Sequence, residues 1–245
     1  MSLQIIPIHL KNDVQPKDDL TDQLLSSSKT SLENGDVLVI SQKVISKHEG
    51  RVVNLESVIP SELSVGIASA YDKDPKLVEV VLSESERIVR MEHGVIIVQT
   101  KHGFICANAG IDESNVENGY ATLLPKDSDA SAQKIRKQIM QQTGKKIAVL
   151  ISDTFGRPFR MGQTDHAIGI SGMDVILHYE GIPDTFGKIL RVTATAICDE
   201  LCSAAELVMG KTKKCPAAII KNFEFKENIG NIQNIIRSEN EDLFR

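Results

Sequence analysis

Tryptophan is absent from the 245-residue chain, and aromatic residues make up only 4% of it. That scarcity argues against a platform on which nucleic-acid bases stack. A net charge of −5 removes any global attraction to nucleic acid or to an anionic membrane. No apolar run approaches the ~18–20 residues of a membrane span, and the opening MSLQIIPIHL lacks the basic-then-apolar order of a secretory signal. Cysteine is scarce too. Cys106, Cys198, Cys202 and Cys215 form no C-x-x-C pair and have no histidine at zinc spacing. They read as reduced, mostly buried thiols of a cytoplasmic protein. H-E-x-x-H, G-x-S-x-G, G-x-G-x-x-G and the Walker A spacing G-x-x-x-x-G-K-[ST] are all missing. These absences set aside a zinc hydrolase, a serine-hydrolase elbow, a Rossmann dinucleotide site and a P-loop.

What is present is an ordinary globular composition, 41% hydrophobic and 25% charged. The chain is long enough to bury one large core or two small ones. Strand-like runs recur at Gln4–Ile8, Asp36–Ser41, Val95–Thr100, Ile105–Ala109, Ile147–Ser152, Leu190–Ile197 and Ala217–Ile220. Helical spacing lies between them. Lys76–Met91 sets Leu77, Val80, Val81, Glu84 and Ile88 on one stripe. Ser131–Thr143 carries Ala132, Ile135 and Ile139, with Asp129 as N-cap and Gly144 just past its end. Asp199–Met209 carries Leu201, Ala204, Ala205 and Val208, closed by Gly210. The mixed order of strands and helices predicts an α+β fold rather than a doubly wound parallel sheet. No internal repeat or low-complexity segment interrupts the single unit 1–245. Lys126–Ala130, preceded by Pro125, is its most linker-like stretch and the place where two lobes would part.

The chemistry concentrates in Ile147–Gly162, IAVLISDTFGRPFRMG, an apolar strand that ends in Asp153 and Thr154 and continues to Gly156, Arg157 and Arg160. A carboxylate and a hydroxyl at a strand end suit a hard cation such as Mg²⁺. Two arginines just beyond suit phosphate oxygens, and Gly156 lets the backbone come close to a ligand. Together they point to phosphoryl transfer; the plainer alternative is a turn with a solvated aspartate and two surface arginines. Ser41–Gly50, SQKVISKHEG, follows a strand and offers Lys43 and Lys47 as phosphate-binding point charges, or merely a solvated lysine-rich turn. Ala107–Gly119 gathers Asp112, Glu113, Asn115 and Glu117, either as oxygen ligands for a cation or as a helix start capped by Asp112. Gly210–Lys214, GKTKK, meets a nucleotide's phosphates or caps a helix C-terminus.

Taken jointly, SQKVISKHEGR, CANAGIDESNV, SDTFGRPFRMGQTDHAIGISG, DELCSAAELVMGK and the closing IIRSENEDLFR resemble the coenzyme F420:L-glutamate ligase (F420-0 gamma-glutamyl ligase) family over essentially the whole chain. The resemblance implies a two-lobed α+β subunit in an intertwined homodimer. It implies GTP as co-substrate, Mg²⁺ or Mn²⁺, and a monovalent cation such as K⁺. The substrates would be L-glutamate and the coenzyme F420 precursor, whose lactyl carboxylate is activated as an acyl phosphate, with further glutamate added through a γ-link. Asp112 and Asp153 match the family's first-metal ligands, and Thr154 matches a second-metal ligand. Lys11, Asn12, Asp13 and Val14 match nucleotide-contacting positions. So do Gln42, Lys43, Lys47 and Asn115, and Met209, Gly210, Lys211 and Thr212 within Met209–Cys215. Arg157 and Arg160 would hold phosphate or substrate carboxylate. One departure stands out. Some members carry an acidic second-metal ligand where this chain has Lys211, and a charged lysine cannot ligate Mg²⁺. Two other readings of the same residues stay open: a metal-dependent small-molecule kinase, and a non-catalytic nucleotide-binding regulator.

Overall fold

The runs beginning at Val37 and Ile147 have no polar alternation, so neither can form a half-wet sheet face; both must be covered on two sides. The computed structural model describes residues 1–242 and places the two runs side by side at the centre of the fold. Residues 243–245, the end of the IIRSENEDLFR segment, lie outside the described residues. In chain order the strands are β1 (Gln4–Ile8), β2 (Val37–Ser41), β3 (Val52–Asn54), β4 (Ser85–Glu92), β5 (Val95–Thr100), β6 (Ile105–Ala107), β7 (Tyr120–Thr122), β8 (Ala148–Arg157), β9 (Arg160–Met173), β10 (Leu177–His178), β11 (Ala194–Thr195), β12 (Ala217–Lys221) and β13 (Glu227–Asn228). The α-helices are α1 (Leu20–Ser27), α2 (Gln42–His48), α3 (Glu62–Tyr71), α4 (Pro75–Ser83), α5 (Ser128–Thr143) and α6 (Ile197–Met209). The mixed α+β reading holds.

Six strands form the main sheet in the order β1-β12-β2-β8-β9-β13. Among the described residues only β2 and β8 pair in parallel, with Val37 opposite Ala148 and Ser41 opposite Ser152. A parallel pair needs a long crossover, and the chain spends it on smaller units. These are the three-stranded sheet β4-β5-β6, the ribbon β3-β7, and helices α3 and α4. They bury cores of their own, one around Ile67, Val78, Ile96 and Val98 and another around Leu55, Val80 and Ala121. The main core joins β1, β2, β8, β9 and β12 to α5 and α6. All four cysteines are buried and free. No helix of the described residues is long and apolar enough to cross a membrane.

Several sequence expectations shift. The helix expected over residues 76–91 stops at Ser83, and residues 85–92 become β4. Ile88 fits the helical stripe, but it pairs with Val98 in a hairpin whose partner β5 is strongly strand-forming. The strand expected over residues 190–197 shrinks to β11, which pairs only with two-residue β10, and Ile197 already begins α6. The strand expected over residues 105–109 stops at Ala107, because Asn108 and Ala109 take positive φ of 51° and 55° and turn the chain. Residues 126–130 are not a linker but the capped start of α5, and the cap is Asp127 rather than Asp129. Asp129 instead accepts the backbone N–H groups of Ile170 and Ile232, at 2.7 and 2.9 Å. β8 runs five residues past Ser152 and forms a long hairpin with β9.

That hairpin is pressed hard against α5. A Cβ on Gly169 would lie 2.5 Å from Ser128 Cβ and 2.6 Å from its carbonyl carbon. Gly169→Ala is therefore expected to cost ~1–3 kcal/mol in urea unfolding. Gly66→Ala, on an exposed face of α3 with nothing within 4 Å of the added carbon, should gain ~0.5–1 kcal/mol.

Candidate functional site

Because Ser41 and Ser152 are paired, β2 and β8 stop their shared ladder at one level. The residues that follow, Gln42 and Asp153, therefore open onto the same space. It is a cleft of about 810 Å³. Its walls come from residues 10–14, from the start of α2, from residues 107–115, from the first part of the β8-β9 hairpin, and from the turn after α6. Asn12, Asp13, Val14, Gln42, Lys43, Lys47, Asp112, Asn115, Asp153, Thr154, Met209, Gly210, Lys211 and Thr212 all line it. These residues come from five separate stretches of the chain. Lys11 does not line it, nor do Arg157 and Arg160, which flank the hairpin tip as the last paired residues. Arg160 is exposed, and Arg157 donates to the Met161 carbonyl at 2.7 Å.

Three of the four lysines that line the cleft, Lys43, Lys47 and Lys211, are tied to carboxylates. Lys43 Nζ donates to Asp112 Oδ2 at 2.6 Å and to the Ser114 hydroxyl and carbonyl. Lys47 Nζ donates to both oxygens of Asp13, at 2.9 and 2.7 Å. Lys211 Nζ donates to Thr154 Oγ1 at 2.5 Å and Asp165 Oδ1 at 2.9 Å. Asp153 differs: among the described residues no side chain donates to it, and only the Thr154 backbone N–H approaches its carboxyl. Burial pushes Asp153 up to about 7; Asp165 and Asp112 repel its charge, which the Thr154 N–H and Lys211 only partly offset. Burial also acts upward on Asp112, but hydrogen bonds and charge from Lys43, with those from Ser114, hold it below the usual carboxylate range. The helix start expected at Asp112 does not form. Asp112 makes an isolated bridge with Thr122, and its Oδ1 accepts the Ser114 N–H at 2.6 Å. Backbone strain gathers on this wall, with Asn108, Ala109 and Asn115 at φ of 51°, 55° and 55°.

Three contributors escaped the sequence reading. Asp165, only 4% exposed, bonds Ser152 Oγ at 2.8 Å and Thr154 Oγ1 at 2.6 Å. Ser152 is the second, and Glu206, which lies 3.7 Å from Lys211, is the third. Asp165 was findable only through the hairpin register, which sets it opposite Thr154. Gln42 lines the cleft, but its side-chain amide is committed to Ser46 Oγ and the Leu123 carbonyl.

An all-oxygen set of Asp112, Asp153 and Thr154 suits a hard cation such as Mg²⁺. No group of three or more His, Cys, Asp or Glu closes on one point among the described residues. Such an ion would draw its other ligands from phosphates and water, as Mg²⁺ commonly does. Asp153 then has a titration signature. Between the ordinary carboxylate range and about 7, the folded protein keeps a proton on Asp153 that the unfolded chain has released. Stability therefore falls as pH rises through that window. Asp153→Asn is expected to melt above the wild type at pH 8, with the gap closing toward pH 5. A gap in thermal melts that is flat with pH, or reversed, counts against an isolated carboxylate.

The family model for F420-0:Gamma-glutamyl ligase matches residues 10–222. The chain is 43% identical over 224 residues to the coenzyme F420:L-glutamate ligase of Methanothermobacter thermautotrophicus, covering 90% of this chain and 89% of the relative. It is 45% identical over 215 residues to that of Methanocaldococcus jannaschii, covering 87% and 86%. It is 42% identical over 249 residues to that of Methanopyrus kandleri, covering 100% and 98%. The chain belongs to the F420-0:gamma-glutamyl ligase family.

Proposed function

We propose that this family member joins the α-amine of L-glutamate to the lactyl carboxylate of the coenzyme F420 precursor. GTP is the activating nucleotide, and a second glutamate can follow through a γ-link. The observation that carries the reading is one cleft in which Asp153 has no protein cation while Lys43, Lys47 and Lys211 each stand beside a carboxylate. Such a cleft is prepared for a polyphosphate together with a divalent cation.

A carboxylate lacks a leaving group, so amide formation requires activation. The substrate carboxylate oxygen attacks the γ-phosphorus, GDP departs, and an acyl phosphate remains. The glutamate amine attacks the acyl carbon, and phosphate and one proton leave. No enzyme nucleophile is needed. Cys215 lies at the edge of the cleft, but burial pushes its thiol up, so little thiolate forms near neutral pH. Asp112, Asp153 and Thr154 would hold Mg²⁺ or Mn²⁺, which supplies charge neutralisation on the transferring phosphoryl group. Lys43 and Lys47 would turn from their carboxylates to phosphate oxygens as point charges. Residues 12–14, Asn115 and residues 209–212 would enclose the nucleotide, with Gln42 contributing through its backbone. Gly156 and Gln163 carry the cleft wall out to Arg157 and Arg160, which would meet anionic groups of the substrate at the cleft mouth.

A homodimer belongs to the same proposal. Phe159 and Met161 on the hairpin tip are 89% and 96% exposed, and Phe186 and Val192 on the arm around β10 and β11 are 96% and 91% exposed. Large apolar side chains on two projecting segments suit burial against a second copy. A dependence on K⁺ is carried by family likeness alone.

The test is mass spectrometry of the glutamate-free precursor incubated with enzyme, GTP, Mg²⁺ and L-glutamate. One or more added glutamyl units are expected. A stable phosphorylated product formed without glutamate would identify a kinase, and GTP binding without turnover a regulator. Asp153→Asn should lower turnover by at least ~10²-fold if the cation it holds stabilises the phosphoryl transition state. Lys47→Ala should weaken GTP binding in calorimetric titration. It should barely move the unliganded melting temperature, because its partner Asp13 has a 67% exposed side chain and loses little when unpaired.

A further inference from the structure

Gly210 ends α6 at φ 58°, and the chain turns there so that Lys211 faces the β8-β9 hairpin. Its ammonium meets three oxygen donors: Thr154 Oγ1 at 2.5 Å, Asp165 Oδ1 at 2.9 Å and Glu206 Oε1 at 3.7 Å. Hydroxyl and carboxylate oxygens are what a hard divalent ion takes. Asp165 is sealed beneath them, with its side chain 5% exposed. Its second oxygen is already used by Ser152 Oγ at 2.8 Å, and its first also takes the Thr154 hydroxyl at 2.6 Å. A carboxylate buried this deeply needs a cation, and an unpaired one would be strongly destabilising. Lys211 supplies it from the solvent side, since its own side chain remains 56% exposed.

The other cleft lysines differ. Lys43 shares a half-exposed Asp112 with Ser114, and Lys47 rests on an exposed Asp13, so both carboxylates survive without their lysine by facing water. Asp165 has no such alternative.

We infer that the Lys211 ammonium is a resident cation of the cleft, occupying among Thr154, Asp165 and Glu206 the place that a second divalent ion would otherwise take. The chain therefore carries one divalent-cation site of its own beside a built-in positive charge. That charge is present whatever the metal concentration, and it faces any polyphosphate that enters. The inference rests on the ligase reading only for the identity of the anion served.

The test counts Mn²⁺ bound to the nucleotide-free protein, from the electron paramagnetic resonance signal of the free ion. Lys211→Gln removes the ammonium without adding an acid and is expected to bind one more Mn²⁺ per chain than the wild type. Lys211→Met, which keeps the length of the side chain and loses its charge, should do the same. Both variants leave the buried Asp165 without its lysine, so thermal melts with and without Mn²⁺ check that each one folds before ions are counted. A wild type that already binds two Mn²⁺ overturns the inference, and so does the absence of a gain in Lys211→Gln. A wild type that adds glutamate but binds two Mn²⁺ overturns this inference alone. A gain of one site without any glutamate addition overturns the ligase reading alone.

Discussion

The parallel ladder between β2 and β8 is the constraint on which the rest of the structure depends. Eight residues of the two strands, Val37 to Ile40 and Ala148 to Ile151, are none of them more than 1% exposed. Fully burying a Val, Leu or Ile side chain yields roughly 1.5–3 kcal/mol each, so the pair is the densest source of stability in the chain. Its register is held from the entry end by Asp36, 3% exposed, whose carbonyl takes the Ala148 N–H and whose carboxylate takes Lys221 Nζ. A slip of β2 by one residue against β12 would leave Lys221 facing a displaced partner. At the exit end the same register brings Gln42 and Asp153 out together. The cleft is thus a consequence of how the core is paired.

That constraint also explains how so much charge can be concentrated in one place. Asp153 sits where an all-apolar strand gives out, still within low-dielectric surroundings and beyond reach of any lysine ion pair. The lysines come from elements outside the ladder, on α2 and after α6, and can be aimed independently of it. Asp112, Asp153 and Asp165 therefore reach the cleft on strands and a bridge, while the lysines reach it on long side chains. A ligand that exchanges partners with these pairs finds its oxygens fixed and its cations adjustable.

Legibility in the sequence followed the same division. Of the main-sheet strands, β1, β2, β8 and β12 were visible because unbroken apolar runs have few uses, whereas β9 and β13, which begin in polar residues or are only two residues long, were not. The ends of α5 and α6 were visible because Gly144 and Gly210 stop them. The 85–92 segment misled because its apolar residues satisfy a helical and a strand period at once, and only the hairpin with β5 decides between them. Residues 190–197 misled because a β-branched run needs a neighbour to become a strand, and here that neighbour is two residues long. In the cleft, local motifs exposed Lys43, Lys47, Asp112, Asp153 and Thr154. The Ala107–Gly119 and Gly210–Lys214 motifs also exposed Asn115 and residues 210–212, and the family resemblance added residues 12–14, Gln42 and Met209. Asp165 stayed hidden because T-D-H carries no local signature; its role exists only through cross-strand pairing with Thr154 and contact with Lys211.

The two kinds of carboxylate in this cleft set an order of events. Asp112 and Asp165 are each paired with a lysine, whereas burial pushes Asp153 up to about 7. A divalent cation that engages Asp153 must displace its proton, which near pH 7 requires little work because the carboxyl already titrates there. A cation that engages Asp112 must instead compete with Lys43, and it does so more readily when Lys43 has an anion to turn to. On the proposed reading a nucleotide and a metal would favour each other's binding, since a phosphate that draws Lys43 away would leave Asp112 available. Without ligands, Lys43, Lys47 and Lys211 are held by internal ion pairs, which an anion and a cation together would open most readily.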